Sequence, residues 1–211
     1  MAHPSDGLIL CDVGHSRFHI LDGDNLRHLG MKEALARYGD KEVHYICVDA
    51  GIERTLASLA GWHDLVSRRR MPTAYRGWGI DREAACLGAG EGVVIDAGTA
   101  LTLDIVRDGR HLGGWIWPGV KRWREAMAGI SARLDHEPRS VSALPPLSTA
   151  EAVWDALLGS VRRCIECHAS GMPVTVTGGD ATLVASAIEG ARVDERLVFK
   201  GMIKMIKDEG C

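Results

Sequence analysis

No stretch of the 211 residues approaches the roughly 20 consecutive apolar residues that a membrane-crossing helix needs. Low-complexity segments are also missing. So is a strong charge of either sign, since the formal net charge is −3 and gives no electrostatic reason to expect nucleic acid as a partner. The densest basic cluster, Arg68-Arg69-Arg70, is too short to change that and reads as a solvated helix end. The opening MAHPSDG lacks the apolar core of a secretory signal, so cytoplasm is the expected location. Six cysteines fit that compartment as unpaired thiols, mostly buried. Cys164-Ile165-Glu166-Cys167-His168 matches the C-x-x-C-H haem-attachment pattern, but that chemistry requires export. Val161, Cys164, Ile165 and His168 share one helical face, and structural cysteines are the preferred reading over a metal site. What is present is a 46% hydrophobic chain, long enough for two small domains or one large one.

The chain turns on residues 93–120, VVIDAGTALTLDIVRDGRHLGGWIWPGV. Val93-Val94-Ile95 is a β-branched run that predicts a buried strand. Asp96, Ala97, Gly98 and Thr99 then bring a carboxylate, a glycine and a hydroxyl to a tight bend. Leu101, Leu103 and Ile105 alternate with Thr102 and Asp104, predicting a second strand, and Asp108-Gly109 is a hairpin signal. Backbone N–H groups at such a turn, with a hydroxyl beside them, suit phosphate oxygens. A carboxylate there needs a cation or an attacking hydroxyl between itself and the phosphate.

The N-terminus repeats the pattern. Leu8 to Cys11 is apolar, Asp12-Val13-Gly14-His15-Ser16 follows, Phe18 and Ile20 alternate with Arg17 and His19, and Asp22-Gly23 closes a hairpin. One copy would read as an ordinary hairpin. Two copies in the same order predict a duplicated fold with a nucleotide between its halves. Further on, strands are expected at 43–48, 174–177 and 197–199, and helices at 32–38, 53–60, 82–87, from 148 or 149 onward, 182–188 and 202–206. Residues 135–148, with Pro138, Pro145 and Pro146, read as an extended loop. The Gly-rich join at 88–92 is the expected boundary between domains at 1–89 and 90–211. Strands alternating with helices, with Gly and Asp at strand ends, predict an α/β fold.

CDVGHS near the start, GIDREAA at 79–85, VVIDAGTALTLD at 93–104, GGWIWPG at 113–119, STAEAV at 148–153 and TGGDA at 177–181 together resemble type III pantothenate kinases. These belong to the acetate and sugar kinase, heat-shock chaperone and actin superfamily. The resemblance implies two ribonuclease H-like (actin-like ATPase) domains with the active site in the cleft between them, and a helix at 120–130 after the Pro118-Gly119 turn. It also implies a homodimer that phosphorylates pantothenate at its primary hydroxyl with ATP, the first step toward coenzyme A.

By the same resemblance Asp81 in Gly79-Ile80-Asp81-Arg82 is the catalytic base, with Asp96 its rival. Arg82 offers a bidentate fork to the pantothenate carboxylate. Gly79, Ile80, Tyr75 and Thr149 join Asp81 and Arg82 at the substrate. Asp12, Val13, Gly14, His15, Ser16 and Thr99 serve ATP, with Asp12 holding Mg²⁺ through water. Asp96 binds a monovalent cation, K⁺ or NH₄⁺. Where the family has Asn-Thr, this chain has His15-Ser16, which keeps one hydroxyl. Trp115 and Trp117 share a strand face and are expected to pack in the core, with a dimer surface as the other reading. Residues alone leave Asp81 as an N-cap beside a salt-bridged Arg82, and two other readings stand next to the kinase: a regulatory protein on the same fold, or a kinase for another small alcohol.

Overall fold

The computed structural model describes residues 7–15, 17–139, 141 and 144–207. They fall into two compact units: the chain up to Gly88 together with the segment from Arg196 onward, and Ala89–Glu195. The second unit thus begins at the Gly-rich join.

In the first unit, β1 (Ile9–Val13), β2 (Phe18–Asp22), β3 (Asn25–Leu29), β4 (Val43–Cys47) and β5 (Trp62–Asp64) form one sheet in the order β3-β2-β1-β4-β5. The β1–β2 and β2–β3 pairs are antiparallel, while β1–β4 and β4–β5 are parallel. The parallel links run through α1 (Met31–Tyr38) and α2 (Ala50–Ala57). Alternation along the strands aims Cys11, Val13, Phe18, Ile20 and Tyr45 into one core with Tyr38, Leu56 and Trp62. Trp62 anchors that core, with its ring edge-on to Phe18 at 6.4 Å and its indole N–H donated to the Tyr38 carbonyl at 3.1 Å. Helix α2 starts at Ala50, earlier than expected from Glu53, because the Asp49 carboxylate caps it through the Gly51 N–H at 2.8 Å.

Two helices complete this unit. α3 (Ile80–Ala89) and α8 (Leu197–Lys207) pack backbone to backbone, with α8 also against β1. A Cβ at Gly201 would sit 1.7 Å from the Ala84 carbonyl oxygen, and one at Gly88 would sit 2.1 Å from that of Leu197. The strand expected at 197–199 is therefore wrong. Leu197, Val198, Phe199, Met202 and Met205 are all buried on a helix whose register is set by these two glycines.

In the second unit, β6 (Gly92–Ala97), β7 (Ala100–Arg107), β8 (Arg110–Pro118), β9 (Val174–Thr177) and β10 (Arg192–Val193) form a sheet in the order β10-β9-β6-β7-β8. Read from the hairpin side this is β8-β7-β6-β9-β10, with two antiparallel pairs and then two parallel ones. That is the strand plan of the first unit, as the repeated Asp-x-Gly pattern predicts. The β7–β8 turn places Asp108 at φ 53° and Gly109 at φ 68°, the positive values that a two-residue hairpin of this type requires.

The core lies between this sheet and α5 (Thr149–Trp154), α6 (Ser160–His168) and α7 (Ala181–Ser186). Trp115 and Trp117 pack against it, while Ile116 between them is 57% exposed. α4 (Val120–Ile130) follows the Pro118-Gly119 turn as expected. Between α5 and α6 the helix widens into a π-turn over Asp155–Gly159, which the sequence did not disclose. A Cβ at Gly159 would stand 2.0 Å from an Asp155 carboxylate oxygen, so glycine makes room for a buried acid paired to Arg163 at 3.0 Å. Cys164 is half-buried and Cys167 exposed on α6, both as free thiols, and the His168 ring lies 5.0 Å from that of Trp115.

Candidate functional site

The repeated motif places two aspartates at matching points. Asp12 precedes the last residue of β1, and Asp96 precedes the last residue of β6. Each faces away from the core to which its strand neighbours belong. Each strand turns on a glycine. The Gly14 N–H donates to the Arg17 carbonyl at 3.1 Å, and the Gly98 N–H donates to the Ala100 carbonyl at 3.0 Å. Those two N–H groups are committed within their turns, so what Gly14 offers a ligand is close approach rather than a donor. Val13 is fully buried and its carbonyl accepts from the Val48 N–H at 3.3 Å, while His15 is exposed. Ser16 lies outside the described residues.

The surroundings of Asp96 are tighter. Gly178, at φ 95°, packs so closely that a Cβ there would lie 2.5 Å from an Asp96 carboxylate oxygen and 2.6 Å from the Ala97 carbonyl carbon. Gly119 is just as tightly placed: a Cβ there would lie 2.1 Å from the Gly98 carbonyl oxygen, and its N–H donates to the Thr99 carbonyl at 3.1 Å. The Asp180 N–H donates to the Ala97 carbonyl at 2.9 Å. The turn at 97–99 is thus clamped by the PG turn after β8 and by the TGGD turn after β9. Gly178 was visible in the sequence as part of TGGDA, but its contact with Asp96 was not. Burial pushes the Asp180 carboxyl up from its ordinary value.

A second constellation forms where the loop after β5 meets α3. The helix begins at Ile80, so Asp81 is not the N-cap expected of it but lies inside the first turn. Its carboxylate folds back to accept the Arg82 N–H at 2.8 Å and lies over Gly79, where a Cβ would be only 2.3 Å away. The G-x-D spacing is therefore steric: any larger residue at 79 displaces the acid. The helix N-terminus favours negative charge at that point. Arg82 is 6% exposed, with its guanidinium 5.1 Å from the Tyr75 ring centroid and one nitrogen 3.5 Å from the Tyr75 hydroxyl. Ile80 is buried and fixes the helix start. A cavity of about 390 Å³ opens here, bounded by Arg69, Thr73, Tyr75, Gly77, Trp78 and Glu83 among others.

Thr149 opens α5, but the cap is Ser148. Its hydroxyl accepts the Glu151 N–H at 3.2 Å and donates to the Glu151 carboxylate at 3.1 Å, a reciprocal box. Thr149 is exposed. Asp104 pairs with His111 at 2.7 Å, both almost fully buried.

The structure so brings Tyr75, Gly79, Ile80, Asp81 and Arg82 together. It sets Asp12 to His15 on the matching turn of the same unit, and places Asp96, Thr99 and Thr149 in the other. Among the described residues, no group of three or more His, Cys, Asp or Glu side chains could hold a metal by itself. Likewise, no helix among them is long and apolar enough to cross a membrane.

Comparison with known proteins bears on this geometry. The sequence model of the family described as type III pantothenate kinase matches residues 65–168. A Helicobacter pylori protein named type III pantothenate kinase is 35% identical over 207 residues, 96% of this chain and 92% of its own. A Campylobacter jejuni protein of the same name is 32% identical over 203 residues, 95% of this chain and 97% of its own. A solved structure from Campylobacter jejuni, provisionally described as a conserved Baf family transcriptional activator, superposes with a TM-score of 0.84 at 34% identity, covering 95% of this chain and 98% of that one. An ethanolamine utilization protein from Carboxydothermus hydrogenoformans shares the fold alone, at a TM-score of 0.54 and 12% identity over 93% of this chain and 88% of its own.

Proposed function

The chain belongs to the type III pantothenate kinase family, and we propose that it performs that family's reaction, transferring the γ-phosphoryl group of ATP to the primary hydroxyl of pantothenate, with Asp81 as the base. The observation that carries the assignment of roles is the Gly79–Arg82 turn. There a carboxylate is held over a glycine beside a guanidinium stacked on Tyr75.

Phosphoryl transfer requires little covalent work from the protein. It requires the acceptor oxygen to be aimed at phosphorus and the developing charge to be offset. Asp81 accepts the hydroxyl proton, or a hydrogen bond from it, as the oxygen attacks. Arg82 pairs with the pantothenate carboxylate, and Tyr75 keeps the guanidinium plane fixed for a two-pronged contact. Gly79 keeps that acid in place, and Thr149, released from capping by Ser148, offers its hydroxyl to the substrate.

Asp12, Val13, Gly14, His15 and Ser16 receive the nucleotide together with Thr99. The residues fit Mg²⁺ in the manner usual for that ion: one carboxylate, with nucleotide phosphates completing its oxygen shell, rather than an all-protein cage. Asp96 fits a monovalent cation, K⁺ or NH₄⁺. It presents its carboxylate beside the main chain of Gly98 and Gly178, a hard-oxygen environment suited to such an ion. When bound, the ions offset phosphate charge. A cytoplasmic homodimer completes the reading. The exposed Leu112 and Ile116 on β8, 55% and 57% accessible, support a self-association face.

The test is ADP release coupled to a reporter, with pantothenate, with other small alcohols and with neither. The proposal requires turnover that depends on pantothenate and is promoted by K⁺ or NH₄⁺. Turnover driven only by another alcohol, or none under any monovalent cation, refutes it; the latter would favour the regulatory reading.

A further inference from the structure

Glu83 directly follows the Asp81-Arg82 pair inside GIDREAA, yet no role attaches to it in the sequence reading. It is 2% exposed. One carboxylate oxygen accepts the N–H groups of Arg70 at 2.7 Å and Met71 at 3.0 Å. The other pairs with the Arg69 Nε at 3.0 Å. The Arg69 guanidinium reaches on to donate an Nη2 hydrogen bond to the Trp78 carbonyl at 2.5 Å. One buried acid therefore ties both ends of the 69–78 loop to the first turn of α3.

Burying a carboxylate costs several kcal/mol unless its oxygens are satisfied. Here the satisfaction comes from the loop alone: two main-chain N–H groups and one guanidinium. The loop carries Tyr75, whose ring and hydroxyl meet Arg82, and it walls the cavity of about 390 Å³ beside them. A shift of about 1 Å in such a wall costs catalysis roughly a hundredfold when the displaced groups orient the reactant. The same shift leaves the nucleotide turn at Asp12–Gly14 with its own hydrogen bond intact.

We propose that Glu83, acting through Arg69, is a positioning residue for the acceptor: it locks the 69–78 loop so that Tyr75 and Arg82 present a preformed site to the carboxylate end of pantothenate. This rests on the reading of Asp81 and Arg82 given above. Glu83 itself takes no proton in the reaction, because its oxygens are spent on the loop.

The experiment compares wild type with Glu83→Gln and with Arg69→Lys, which leaves the carboxylate compensated but cannot span both Glu83 and the Trp78 carbonyl. Steady-state KM values for pantothenate and for ATP are measured on each full chain, with melting temperatures and hydrogen exchange at residues 70–78. The expected result is a pantothenate KM raised about tenfold or more in both variants and an ATP KM within about twofold of wild type. Exchange should be faster in the loop and unchanged in the interior of α3. A pantothenate KM that stays within about twofold of wild type overturns the proposal. So does a parallel rise in both KM values with a general loss of melting temperature, which marks a merely structural role. If Glu83→Gln does not fold, Arg69→Lys decides alone. A wild-type chain that never turns over pantothenate defeats the functional reading, and this one with it; turnover with unmoved KM values defeats this one only.

Discussion

Asp12 and Asp96 occupy the same position in two copies of one strand plan, yet their neighbours differ. Across the antiparallel partner, Asp12 faces His19 and Asp96 faces Thr102. Across the parallel partner, Asp12 faces Ile46 and Asp96 faces Thr177. After β4 the chain continues through Val48 and Asp49, whereas after β9 it turns on Gly178, pressed onto the Asp96 carboxylate. The first copy thus sets its acid beside an uncrowded turn, where a Cβ at Gly14 would meet nothing closer than the Arg17 carbonyl oxygen at 3.5 Å. The second sets two threonines and the main chain of Gly178 beside its acid, and both acids are half-buried. One backbone plan thus gives the shared acid two different surroundings, which is what the division of roles proposed above rests on.

Exchanging the acids is the most severe way to break the comparison. Asp12→Asn is expected to lower kcat/KM for Mg-ATP by about 10²–10³-fold at every monovalent cation concentration, because it removes the carboxylate proposed to hold the Mg²⁺ that offsets phosphate charge. Asp96→Asn should lose about tenfold at saturating K⁺ and shift the K⁺ concentration for half-maximal rate, as ion placement rather than ion charge on phosphate is impaired. Rates measured across a K⁺ series separate the two. Equal responses of both variants would erase the proposed division of labour.

The glycines sharpen it on the stability side. Gly178→Ala must adopt φ 95° with its Cβ 2.5 Å from Asp96 and 2.6 Å from the Ala97 carbonyl carbon, so a loss of about 3 kcal/mol or more is expected in urea unfolding. Gly14→Ala meets nothing closer than the Arg17 carbonyl oxygen at 3.5 Å and should cost under about 1 kcal/mol.

The smallest effect separates His19 from Thr102. His19 and His28 pair across β2 and β3 at 2.6 Å, and burial, then His28, then Arg17 hold His19 down to about 4 from 6.5. The folded chain keeps it neutral while the unfolded chain protonates it. The unfolded state therefore binds more protons between these values, and stability falls as pH drops from about 6.5 to about 4. Allowing for the partial exposure of the ring, the loss is about 1–2 kcal/mol. His19→Gln should flatten that part of the urea-midpoint profile; an unchanged profile would clear His19 of it.

Much of this architecture was legible because its signals are local. Asp-x-Gly turns, period-two alternation and Asp-Gly hairpins depend on neighbours a few residues apart, so the duplication showed itself before any coordinates. Leu197-Val198-Phe199 misled because a short apolar run suits a strand or a buried helix equally. Gly201 against Ala84 settles it, a contact between distant parts of the chain. Asp81 read as a cap because Gly79 looked like a loop residue, when it is the space into which the carboxylate folds. Glu83 stayed silent for the same reason as the π-turn at Asp155: its partners lie up to 14 positions away, at Arg69, with no fixed spacing to announce them.

The most direct test is the amount of 4′-phosphopantothenate formed per enzyme by wild type and by Asp81→Asn, at saturating Mg-ATP and pantothenate, with melting curves as the control for folding. The account predicts product from the wild type and a kcat lower by about 10²–10⁴-fold in a variant that melts as the wild type does. A folded Asp81→Asn enzyme that keeps its rate within about threefold would contradict it, and would move the role of base away from the Gly79–Arg82 turn.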